Sequence, residues 1–219
     1  ILGASGYTGV ELVRLISMHP EFKIHSLSGE TKSGLKFGEV YPSLQYLNLP
    51  NLCYVSDINY DDLDLVFCAL PHTKSAAIIN KLPRNIKIID LSADFRLNTD
   101  SLYKKWYGVD HPCPDLLSKF IYGLTEFYRT DIKNSDYVAC TGCNSATGLY
   151  PIIPLVSEGI IEFDDIIINL ATGVSGAGRK ANELIIHSEV SEGFSPYNVK
   201  SHRHLAEFDQ ELLKFSGKK

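Results

Sequence analysis

The stretch Ile1–Gly9, which reads Ile-Leu-Gly-Ala-Ser-Gly-Tyr-Thr-Gly, joins the end of an apolar strand to the start of a helix. Its glycines follow a G-x-x-G-x-x-G spacing, in which Ser5 replaces the middle glycine of the usual dinucleotide fingerprint. Glycines at such positions let the backbone turn tightly and approach a pyrophosphate, which the helix N-terminus then receives. Glycine turns between a strand and a helix also occur without a ligand, so both interpretations stay open. The residues expected to contact a dinucleotide here are Gly3, Ser5, Gly6, Tyr7, Thr8 and Gly9.

Strands and helices alternate after this turn. Apolar runs over Phe22–Leu27, Leu52–Val55, Leu65–Leu70 and Ile86–Leu91 are typical of buried strands, and Ser75–Leu82 is typical of a helix. Such alternation implies parallel strands, because parallel pairing needs long crossover connections. We therefore expect an α/β fold with a Rossmann-type, doubly wound parallel sheet that binds ligands beyond the carboxyl ends of its strands.

Two of these strand ends supply further cofactor candidates. Leu70 and Pro71 follow one strand, and Ser28, Gly29 and Glu30 follow another. Small residues and backbone groups at this edge of a doubly wound sheet commonly contact the nucleotide. We expect all five residues to line the cofactor site.

The acidic residue Glu30 bears on the choice between NAD and NADP. It lies about 20 residues beyond Gly9, the distance at which an acidic side chain commonly accepts hydrogen bonds from the ribose hydroxyls of NAD. A carboxylate there would repel the 2′-phosphate of NADP. Lys32 and the hydroxyls of Ser28 and Ser33 offer that phosphate donors if Glu30 turns to solvent, so the residues leave both cofactors open.

Composition and charge exclude several classes of protein. With 219 residues, 44% of them hydrophobic, the chain can bury one large core or two small ones. The net charge of −5 and the lack of a basic run argue against nucleic acid as a partner. No apolar run approaches the roughly 18 residues of a membrane span, and no signal peptide is recognised before the first strand. Five unevenly spaced cysteines fit a reducing compartment, so we expect a cytoplasmic protein without a membrane partner.

A second strand-to-helix turn lies at Ala139–Gly148, which reads Ala-Cys-Thr-Gly-Cys-Asn-Ser-Ala-Thr-Gly. Cys143 stands where the helix begins, and the positive partial charge of a helix N-terminus favours thiolate over thiol. We interpret Cys143 as a nucleophile, with a small buried hydrophobic residue as the alternative. Cys140 and Cys143 also form a Cys-x-x-Cys pair, but the chain has no second pair, so we expect neither a metal site nor a disulfide there.

The remainder of the chain alternates helices with a strand and a flexible loop. Pro151 and Pro154 predict that the helix after Cys143 is short or kinked. The isoleucine-rich segment Phe163–Thr172 predicts a strand, and Gly173–Arg179 predicts a loop that offers backbone N–H donors and one guanidinium. Further helices are expected through Glu183–Ser188 and after His202-Arg203-His204.

Together, these motifs resemble those of the N-acetyl-gamma-glutamyl-phosphate reductase family, including relatives that act on alpha-aminoadipyl phosphate in lysine synthesis. They occur in the family's order and span almost the whole chain, so the combination is far more specific than any one motif. The matching segments are Gly3–Gly9, Ala69–His72, Leu91–Leu97, Tyr122–Leu124, Gly142–Cys143, Gly173–Arg179 and His202–His204.

The resemblance implies two domains and a class of reaction. A dinucleotide-binding domain is expected over residues 1–142, and an α+β substrate and dimerisation domain over residues 143–219. Family members continue past Lys219, so the second domain is expected to be truncated and the protein to be a homo-oligomer. The implied activity is that of an NAD(P)-dependent oxidoreductase that reduces an acyl phosphate to a semialdehyde in arginine or lysine biosynthesis, with NADP as the cofactor.

The resemblance also implies roles for individual residues. Cys143 attacks the acyl phosphate, expels phosphate and forms a thioester, which accepts hydride from the nicotinamide. His204 is the candidate acid and base, with His202 in reserve, since imidazole titrates near neutral pH. Arg96 and Arg179 are candidates for binding the substrate, because a guanidinium binds phosphate or carboxylate bidentately. A structural salt bridge within the protein is the alternative role for each. The remaining candidates are Asn144 for the substrate and Gly176 for the cofactor.

The residues after the cysteine depart from the family's usual pattern. Asn144-Ser145 stands where the glutamyl-phosphate enzymes usually show Tyr-Pro, and Gly-Cys-Asn resembles the lysine-type branch. We therefore hypothesise that the substrate carries the longer aminoadipyl chain, presented on an acidic amino-group carrier protein. Aspartate-semialdehyde dehydrogenase and a non-catalytic nucleotide-binding module stay open as other classes. The Ser92–Leu97 motif argues against the first, and the joint presence of Cys143 and His204 argues against the second.

Overall fold

A parallel sheet surrounds the first strand-to-helix turn, which lies within residues 1–9 and is called the first turn below. The computed structural model describes residues 1–162 and 165–217. β1 pairs with β2, and the other four strands are hydrogen-bonded in the order β3-β4-β6-β5, all of them parallel. The strands are β1 (Leu27–Ser28), β2 (Leu52–Cys53), β3 (Leu65–Cys68), β4 (Lys87–Asp90), β5 (Ile121–Gly123) and β6 (Tyr137–Cys140).

Residues 1–4 join the two groups of strands. Leu2 N donates to Phe67 O of β3 at 2.8 Å, and Ala4 N donates to Ser28 O of β1 at 2.7 Å. The first segment therefore lies between β1 and β3, in the middle of one continuous parallel arrangement. This order confirms the predicted α/β fold with a Rossmann-type, doubly wound sheet.

Gly3 lets the chain leave the centre of the sheet. Its φ is +80°, and a Cβ atom at this position would lie 2.3 Å from the carbonyl oxygen of Ala69. A side chain would therefore meet both backbone strain and a backbone clash. The first helix, α1 (Tyr7–Ser17), begins shortly afterwards with Gly6 as its N-cap.

Helices and short 3-10 turns connect the strands. No helix in residues 1–162 and 165–217 is long and apolar enough to cross a membrane. The other helices are α2 (Phe37–Val40), α3 (Ser75–Ile79), α4 (Asp100–Tyr107), α5 (Thr125–Lys133), α6 (Cys143–Ser157), α7 (His187–Val190) and α8 (Leu205–Ser216). The 3-10 turns are Glu30–Lys32, Pro42–Leu44, Val55–Asp57, Pro114–Lys119, Val174–Ala177 and Glu183–Ile185.

Hydrophobic clusters lie on both sides of the second turn. One cluster packs α6 on α8 through Leu149, Ile153 and Phe208. This cluster fastens the last helix to the turn that carries Cys143. The clusters around the sheet include Leu2, Val66, Ile88 and Phe95 in one and Leu27, Phe37 and Leu52 in the other.

Of the two alternatives predicted for the helix after Cys143, the short helix is wrong, and a kink stays a prediction. α6 runs for 15 residues through both Pro151 and Pro154. Each proline removes one helical N–H donor, but Leu149 and Ile153 are fully buried against α8. Tertiary packing of this apolar face outweighs the local preference of proline.

The strand predicted over Phe163–Thr172 is not formed in the described part of that segment, and Phe163 lies outside the described residues. Ile166, Ile168 and Leu170 nevertheless pack on the α6–α8 cluster, while Ile167 is 85% exposed. The alternation expected of a strand is therefore present without a ladder. A strand needs lateral partners for its backbone groups, and none is hydrogen-bonded to residues 165–172 among those described.

Several other predicted elements are shorter than expected or divided. β1 covers only Leu27–Ser28, the two residues that form ladder pairs with the two-residue strand β2. Phe22 instead stacks on His19, with ring centroids 4.3 Å apart. The helix expected through Glu183–Ser188 is divided between a 3-10 turn and α7.

Candidate active site

Cys143 lies at the exposed start of α6. It follows the N-cap Gly142 directly, and β6 ends at Cys140. The other four cysteines are buried or half-buried, and burial raises the pKa of Cys140 to about 11. Cys140 and Cys143 form no disulfide, and no metal-binding group of three or more His, Cys, Asp or Glu occurs among the described residues. Cys143 is thus the thiol that a substrate can reach.

His204 packs directly against the turn before this thiol. A Cβ atom on Gly142 would lie 2.5 Å from His204 Nε2 and 2.7 Å from Glu207 Oε1, so glycine leaves the space that these groups occupy. His204 Nε2 lies 3.9 Å from Glu207 Oε1, and the rings of His202 and His204 are 4.6 Å apart. The structure therefore brings the predicted acid-base residue next to the residue that precedes Cys143.

The surroundings of His204 keep its imidazole neutral. Burial lowers the pKa of His204 to about 4; the Glu207 carboxylate opposes this shift, and Arg96 and His202 add to it. Its Nδ1 atom is buried and has no hydrogen-bond partner within the described residues. A neutral imidazole has one ring nitrogen that can accept a hydrogen bond or a proton, so His204 carries a free acceptor at neutral pH.

The buried carboxylate of Glu207 ties the elements of the site together. Its Oε2 accepts hydrogen bonds from Tyr122 Oη at 2.6 Å and from Gly142 N at 2.8 Å. Its Oε1 lies 3.3 Å from Arg96 Nη1. A buried carboxylate is tolerated when it has both a cationic partner and hydrogen-bond donors, and Glu207 has both. This one side chain on α8 therefore connects β5, the Cys143 turn and the segment after β4.

Sequence reasoning missed Glu207. Glutamate is almost never fully buried unless it is paired, so an acid on the last helix is expected to face solvent. In α8 both Glu207 and Glu211 are buried, beside Phe208 and Leu212. Two acids four residues apart, each followed by a large apolar residue, share one helix face with that apolar pair. This pattern was the available signal.

Arg96 makes its contacts inside the protein. Its Nε donates to Cys140 O at 2.7 Å, its Nη2 donates to Leu91 O at 3.0 Å, and its Nη1 faces Glu207. The side chain is 9% exposed. Although burial opposes it, the Glu207 carboxylate raises the pKa of Arg96. This geometry favours the structural ion pair that the sequence left open over a contact with a substrate anion.

Asn144 and His202 form a small polar group beside Cys143. Asn144 Nδ2 donates to Tyr197 Oη at 3.0 Å and lies 3.5 Å from His202 Nε2, while the Cys143 Sγ lies 3.9 Å from Asn144 Oδ1. His202 Nε2 is also 3.3 Å from Tyr197 Oη. Since His202 contacts the ring of His204, the predicted nucleophile, Asn144 and both histidines lie in one continuous group.

The first turn is anchored by hydroxyl groups. Gly3 N donates to Ser28 Oγ at 3.0 Å, and Tyr41 Oη donates to Ser5 O at 2.8 Å. Gly29 lies against the Ser5 side chain, and Leu70 lies beside Gly3. Tyr7, Thr8 and Gly9 form the first turn of α1, where backbone N–H groups have no helical partner. The predicted cofactor residues of the first domain thus converge on one edge, with Pro71 directly after Leu70.

Glu30 turns toward the neighbouring strand end. Its Oε1 accepts a hydrogen bond from Val55 N at 3.0 Å. Residues i and i+2 of a 3-10 turn point in different directions, and Glu30 and Lys32 occupy such positions in the turn Glu30–Lys32. The acidic side chain is consequently held away from its basic neighbour.

Arg179 lies at the first turn rather than beside Cys143. Its Nη1 donates to Ser5 O at 3.1 Å, and its guanidinium covers the ring of Tyr41 at 4.6 Å from the centroid. Gly176 belongs to the 3-10 turn Val174–Ala177 that precedes it. An open cavity of about 410 Å³ adjoins Arg179. Its lining residues are Ser5, Gly6, Thr31, Lys32, Arg179 and Lys180.

His72 and Arg203 meet between the two turns. Arg203 Nη1 is hydrogen-bonded to His72 Nε2, and the Arg203 guanidinium lies over the Tyr107 ring at 5.2 Å. Burial lowers the pKa of His72, and the charge of Arg203 lowers it further. His72 therefore serves as a neutral acceptor for Arg203, which links the segment after β3 to the start of α8.

Comparison with known protein families adds an identity to this geometry. Residues 1–135 match the family described as "Semialdehyde dehydrogenase, NAD binding domain", and residues 143–219 match "Semialdehyde dehydrogenase, dimerisation domain". The chain belongs to the semialdehyde dehydrogenase family. The NAD-binding match contains the first strand-to-helix turn, and the dimerisation match begins at Cys143.

Curated relatives are similar to this chain over its whole length. Proteins named N-acetyl-gamma-glutamyl-phosphate reductase are 53% identical in Cereibacter sphaeroides (strain ATCC 17025 / ATH 2.4.3) and 51% identical in Rhodobacter capsulatus, in each case over 219 residues. The protein of that name from Paracoccus denitrificans is 50% identical over the same length. The matches cover 100% of this chain and 64% of each relative. They confirm the family resemblance drawn from the motifs.

Proposed function

We propose that this protein catalyses the NADP-dependent reductive dephosphorylation of N-acetyl-gamma-glutamyl phosphate to its semialdehyde, a step of arginine biosynthesis. The observation that carries the proposal is the exposed Cys143 thiol at the start of α6, with the neutral His204 against the preceding residue. A nucleophile beside a base is the arrangement that acyl transfer requires. The names of the relatives supply the substrate class.

The Cys143 thiolate attacks the carbonyl carbon of the acyl phosphate. A carbon–sulfur bond forms, the carbon–oxygen bond to phosphate breaks, and phosphate leaves with the electron pair of that bond. The product is a thioester on Cys143, whose carbonyl is less resonance-stabilised than that of a carboxylate. A reduced nicotinamide cofactor, which the turn at Gly3 and Gly6 would hold, would supply the hydride that brings this carbonyl to the aldehyde level. Collapse of the thiohemiacetal restores the thiolate and frees the semialdehyde.

His204 carries the protons in this proposal. As a neutral imidazole it accepts the thiol proton of Cys143, donates this proton to the oxygen that becomes negative on hydride transfer, and takes it back when the thiohemiacetal collapses. Its position is set by Gly142, which leaves room for the ring, and by Glu207, which binds Gly142 N and lies beside His204 Nε2. We assign Arg96 to support of this arrangement, because its donors face Glu207 and two backbone carbonyls.

Asn144 is the substrate-binding candidate that the geometry supports. Its side chain lies beside the Cys143 sulfur, and its amide group is oriented by Tyr197 and His202. An amide fixed in this way can hydrogen-bond the acyl group of a substrate bound at Cys143. Arg179, the other candidate, lies at the dinucleotide turn.

The residues around the first turn fit a dinucleotide cofactor. Gly3 and Gly6 bring the backbone to the N-terminus of α1, where a pyrophosphate gains both N–H donors and a favourable helix dipole. We propose NADP rather than NAD, because Glu30 is bound to Val55 N while the adjoining cavity carries Lys32 and Arg179. Measuring kcat/KM for NADPH and for NADH decides between the two.

A longer acyl chain is the second candidate substrate. Gly142-Cys143-Asn144 resembles the lysine-type enzymes, which favours an aminoadipyl phosphate on an acidic carrier protein. The glutamyl substrate is preferred here because each relative reported above is named for it. Efficient turnover of carrier-bound aminoadipyl phosphate, with none of the acetylated glutamyl phosphate, would reverse this preference.

We also propose that the protein works as a cytoplasmic homo-oligomer. The segment matched to a dimerisation domain leaves large apolar side chains uncovered, which is typical of an interface between copies. These are Ile167, Leu184, Phe194 and Val199, which are 85%, 80%, 85% and 68% exposed. The five cysteines without disulfides agree with a reducing compartment. Sedimentation of the purified protein measures the oligomeric state.

The cysteine mechanism has a matched internal control. Cys143→Ser should abolish reduction of the acyl phosphate by the full-length protein, since a serine hydroxyl is a far weaker nucleophile than a thiolate. Cys140→Ser, three residues earlier, should retain most of the activity. The reverse reaction, with semialdehyde, phosphate and oxidised cofactor, gives a spectrophotometric readout. Substantial turnover by Cys143→Ser would contradict the mechanism.

A further inference from the structure

The cavity beside the first strand-to-helix turn is lined by residues from both segments matched to known families. We propose that Arg179 and Lys180, from the segment matched to the dimerisation domain, join Lys32 to form the anion site for the 2′-phosphate of the cofactor. The inference rests on the proposed function for the identity of that cofactor. It assigns cofactor choice to residues from the second domain and removes Arg179 from the substrate site.

The charge of the cavity favours a phosphate. Lys32, Arg179 and Lys180 contribute three positive charges to its lining, and Ser5, Gly6 and Thr31 contribute none of either sign. In residues 1–162 and 165–217, no carboxylate lies within 4 Å of the charged nitrogens of these three basic residues. A concave surface lined by charges of one sign concentrates the opposite charge. A phosphate dianion matches this surface better than two ribose hydroxyls do.

Arg179 is held in place before a ligand binds. Its Nη1 donates to Ser5 O at 3.1 Å, its Nη2 lies 3.5 Å from Val40 O, and the guanidinium covers the Tyr41 ring. Tyr41 Oη donates to the same Ser5 O, so both side chains hold the middle of the dinucleotide turn. A guanidinium carries five N–H groups, which leaves donors for a phosphate. An arginine fixed in this way loses less side-chain entropy on binding.

Glu30, the acidic residue two positions before Lys32, is held outside the cavity by a hydrogen bond. Glu30 Oε1 accepts from Val55 N at 3.0 Å, and Glu30 is not among the residues that line the cavity. Lys32, two residues later in the same 3-10 turn, does line it. The repulsion expected between Glu30 and a 2′-phosphate is thereby reduced, and the basic residues decide the preference.

Binding of two nucleotide fragments tests the site without catalysis. Isothermal titration of the full-length protein with 2′,5′-ADP and with 5′-AMP isolates the contribution of the 2′-phosphate. Lys180→Met, Arg179→Met and Lys32→Met should each weaken 2′,5′-ADP about tenfold, as expected for loss of one charged hydrogen bond. Binding of 5′-AMP should change less than twofold. Lys200→Met and Lys23→Met, at exposed lysines away from the cavity, should leave both fragments unaffected.

Other outcomes would overturn the inference. Equal weakening of both fragments by Lys180→Met and Arg179→Met would show that the segment only supports the turn. An effect of Lys32→Met alone would return cofactor choice to the first domain. If Arg179→Lys keeps the preference for 2′,5′-ADP over 5′-AMP and Arg179→Met loses it, this result would support a charge contact at this position. Since Cys143→Ser should bind both fragments normally, failure of the acyl-phosphate reaction is distinguishable from failure of this inference.

Discussion

The two strand-to-helix turns lie at the same carboxyl edge of the sheet, but they are stabilised by different kinds of contact. The Gly3 turn is held by the hydroxyls of Ser28 and Tyr41 and by the exposed guanidinium of Arg179. The Gly142 turn is held by the buried charge of Glu207. The first turn therefore stays open to a ligand from solvent, whereas the second supports a half-buried imidazole against the residue that precedes an exposed thiol.

This contrast follows from the chemistry assigned to each turn. A pyrophosphate brings its own charge and needs only backbone donors and a helix N-terminus. A general base must stay neutral and fixed in position, which requires burial and a defined set of neighbours. The second turn achieves this with an ion pair between residues 111 positions apart.

The substitution with the largest expected effect removes the ion pair between Arg96 and Glu207, beside the second turn. Glu207→Gln keeps a hydrogen-bond acceptor but removes the charge, so Arg96 becomes a buried, unpaired cation. We expect the free energy of unfolding to fall by about 3 to 5 kcal/mol, measured by urea denaturation. Arg96→Met combined with Glu207→Gln should recover part of the loss, since no unpaired charge then remains. A loss below 1 kcal/mol in the single variant would show that the pair is dispensable.

The next prediction concerns the pH dependence of stability. The pKa of His204 is lowered from 6.5 to about 4 in the folded protein, so the unfolded chain binds its proton first as the pH falls. The stability that His204 contributes in its neutral form is complete above pH 6.5 and is lost as the pH falls toward 4. The full difference is about 3 kcal/mol.

Unfolding titrations of the parent and of His204→Asn at pH 7 and pH 4 measure this effect. The parent should lose more stability than the variant over that interval, because the variant has no imidazole to protonate. Parallel losses in the two proteins would contradict a lowered pKa at His204. The same variant should reduce turnover far more than nucleotide affinity, since proton transfer occurs only along the reaction path; a large loss in His202→Asn instead would reverse the roles of the two histidines.

A pair of glycine substitutions compares the turns directly. Gly142→Ala should reduce turnover about 100-fold, because its Cβ would displace His204, while nucleotide binding survives. Gly3→Ala should instead destabilise the fold by about 2 to 3 kcal/mol, because it combines positive φ with a backbone clash. Gly193→Ala, where a Cβ would meet atoms no closer than 3.5 Å, is the control. An equal loss of stability in Gly142→Ala and Gly3→Ala would contradict the proposed difference between the two turns.

The smallest expected effect concerns the hydroxyl support of the first turn. Ser28 is 1% exposed, and Ser28→Ala leaves Gly3 N without its acceptor. We expect a loss of about 1 to 2 kcal/mol in the free energy of unfolding and weaker nucleotide binding. Ser56→Ala, at an exposed hydroxyl, should stay within about 0.5 kcal/mol of the parent. Equal stability of the two variants would show that solvent replaces the Ser28 hydroxyl.

The sequence was informative where a few adjacent residues carry the physical requirement. The parallel sheet, the glycine turn and the start of α6 at Cys143 follow from periodicity, glycine spacing and capping residues. Arg96 shows the limit of this reasoning. Its motif indicates an anion partner, and the anion that the structure supplies is the carboxylate of Glu207. Sequence alone does not distinguish a buried protein carboxylate from a substrate phosphate, because a guanidinium binds both in the same way.

The sequence by itself determined the fold class, the family resemblance and the position of the Cys143 thiol at the start of a helix, since each depends on local pattern. Only the tertiary structure decided that α6 continues through two prolines, that Glu207 is buried beside Gly142, and that Arg179 reaches the first turn. Those outcomes depend on contacts between segments distant in the chain. Their free energy comes from burial and pairing across space, which residue spacing does not encode.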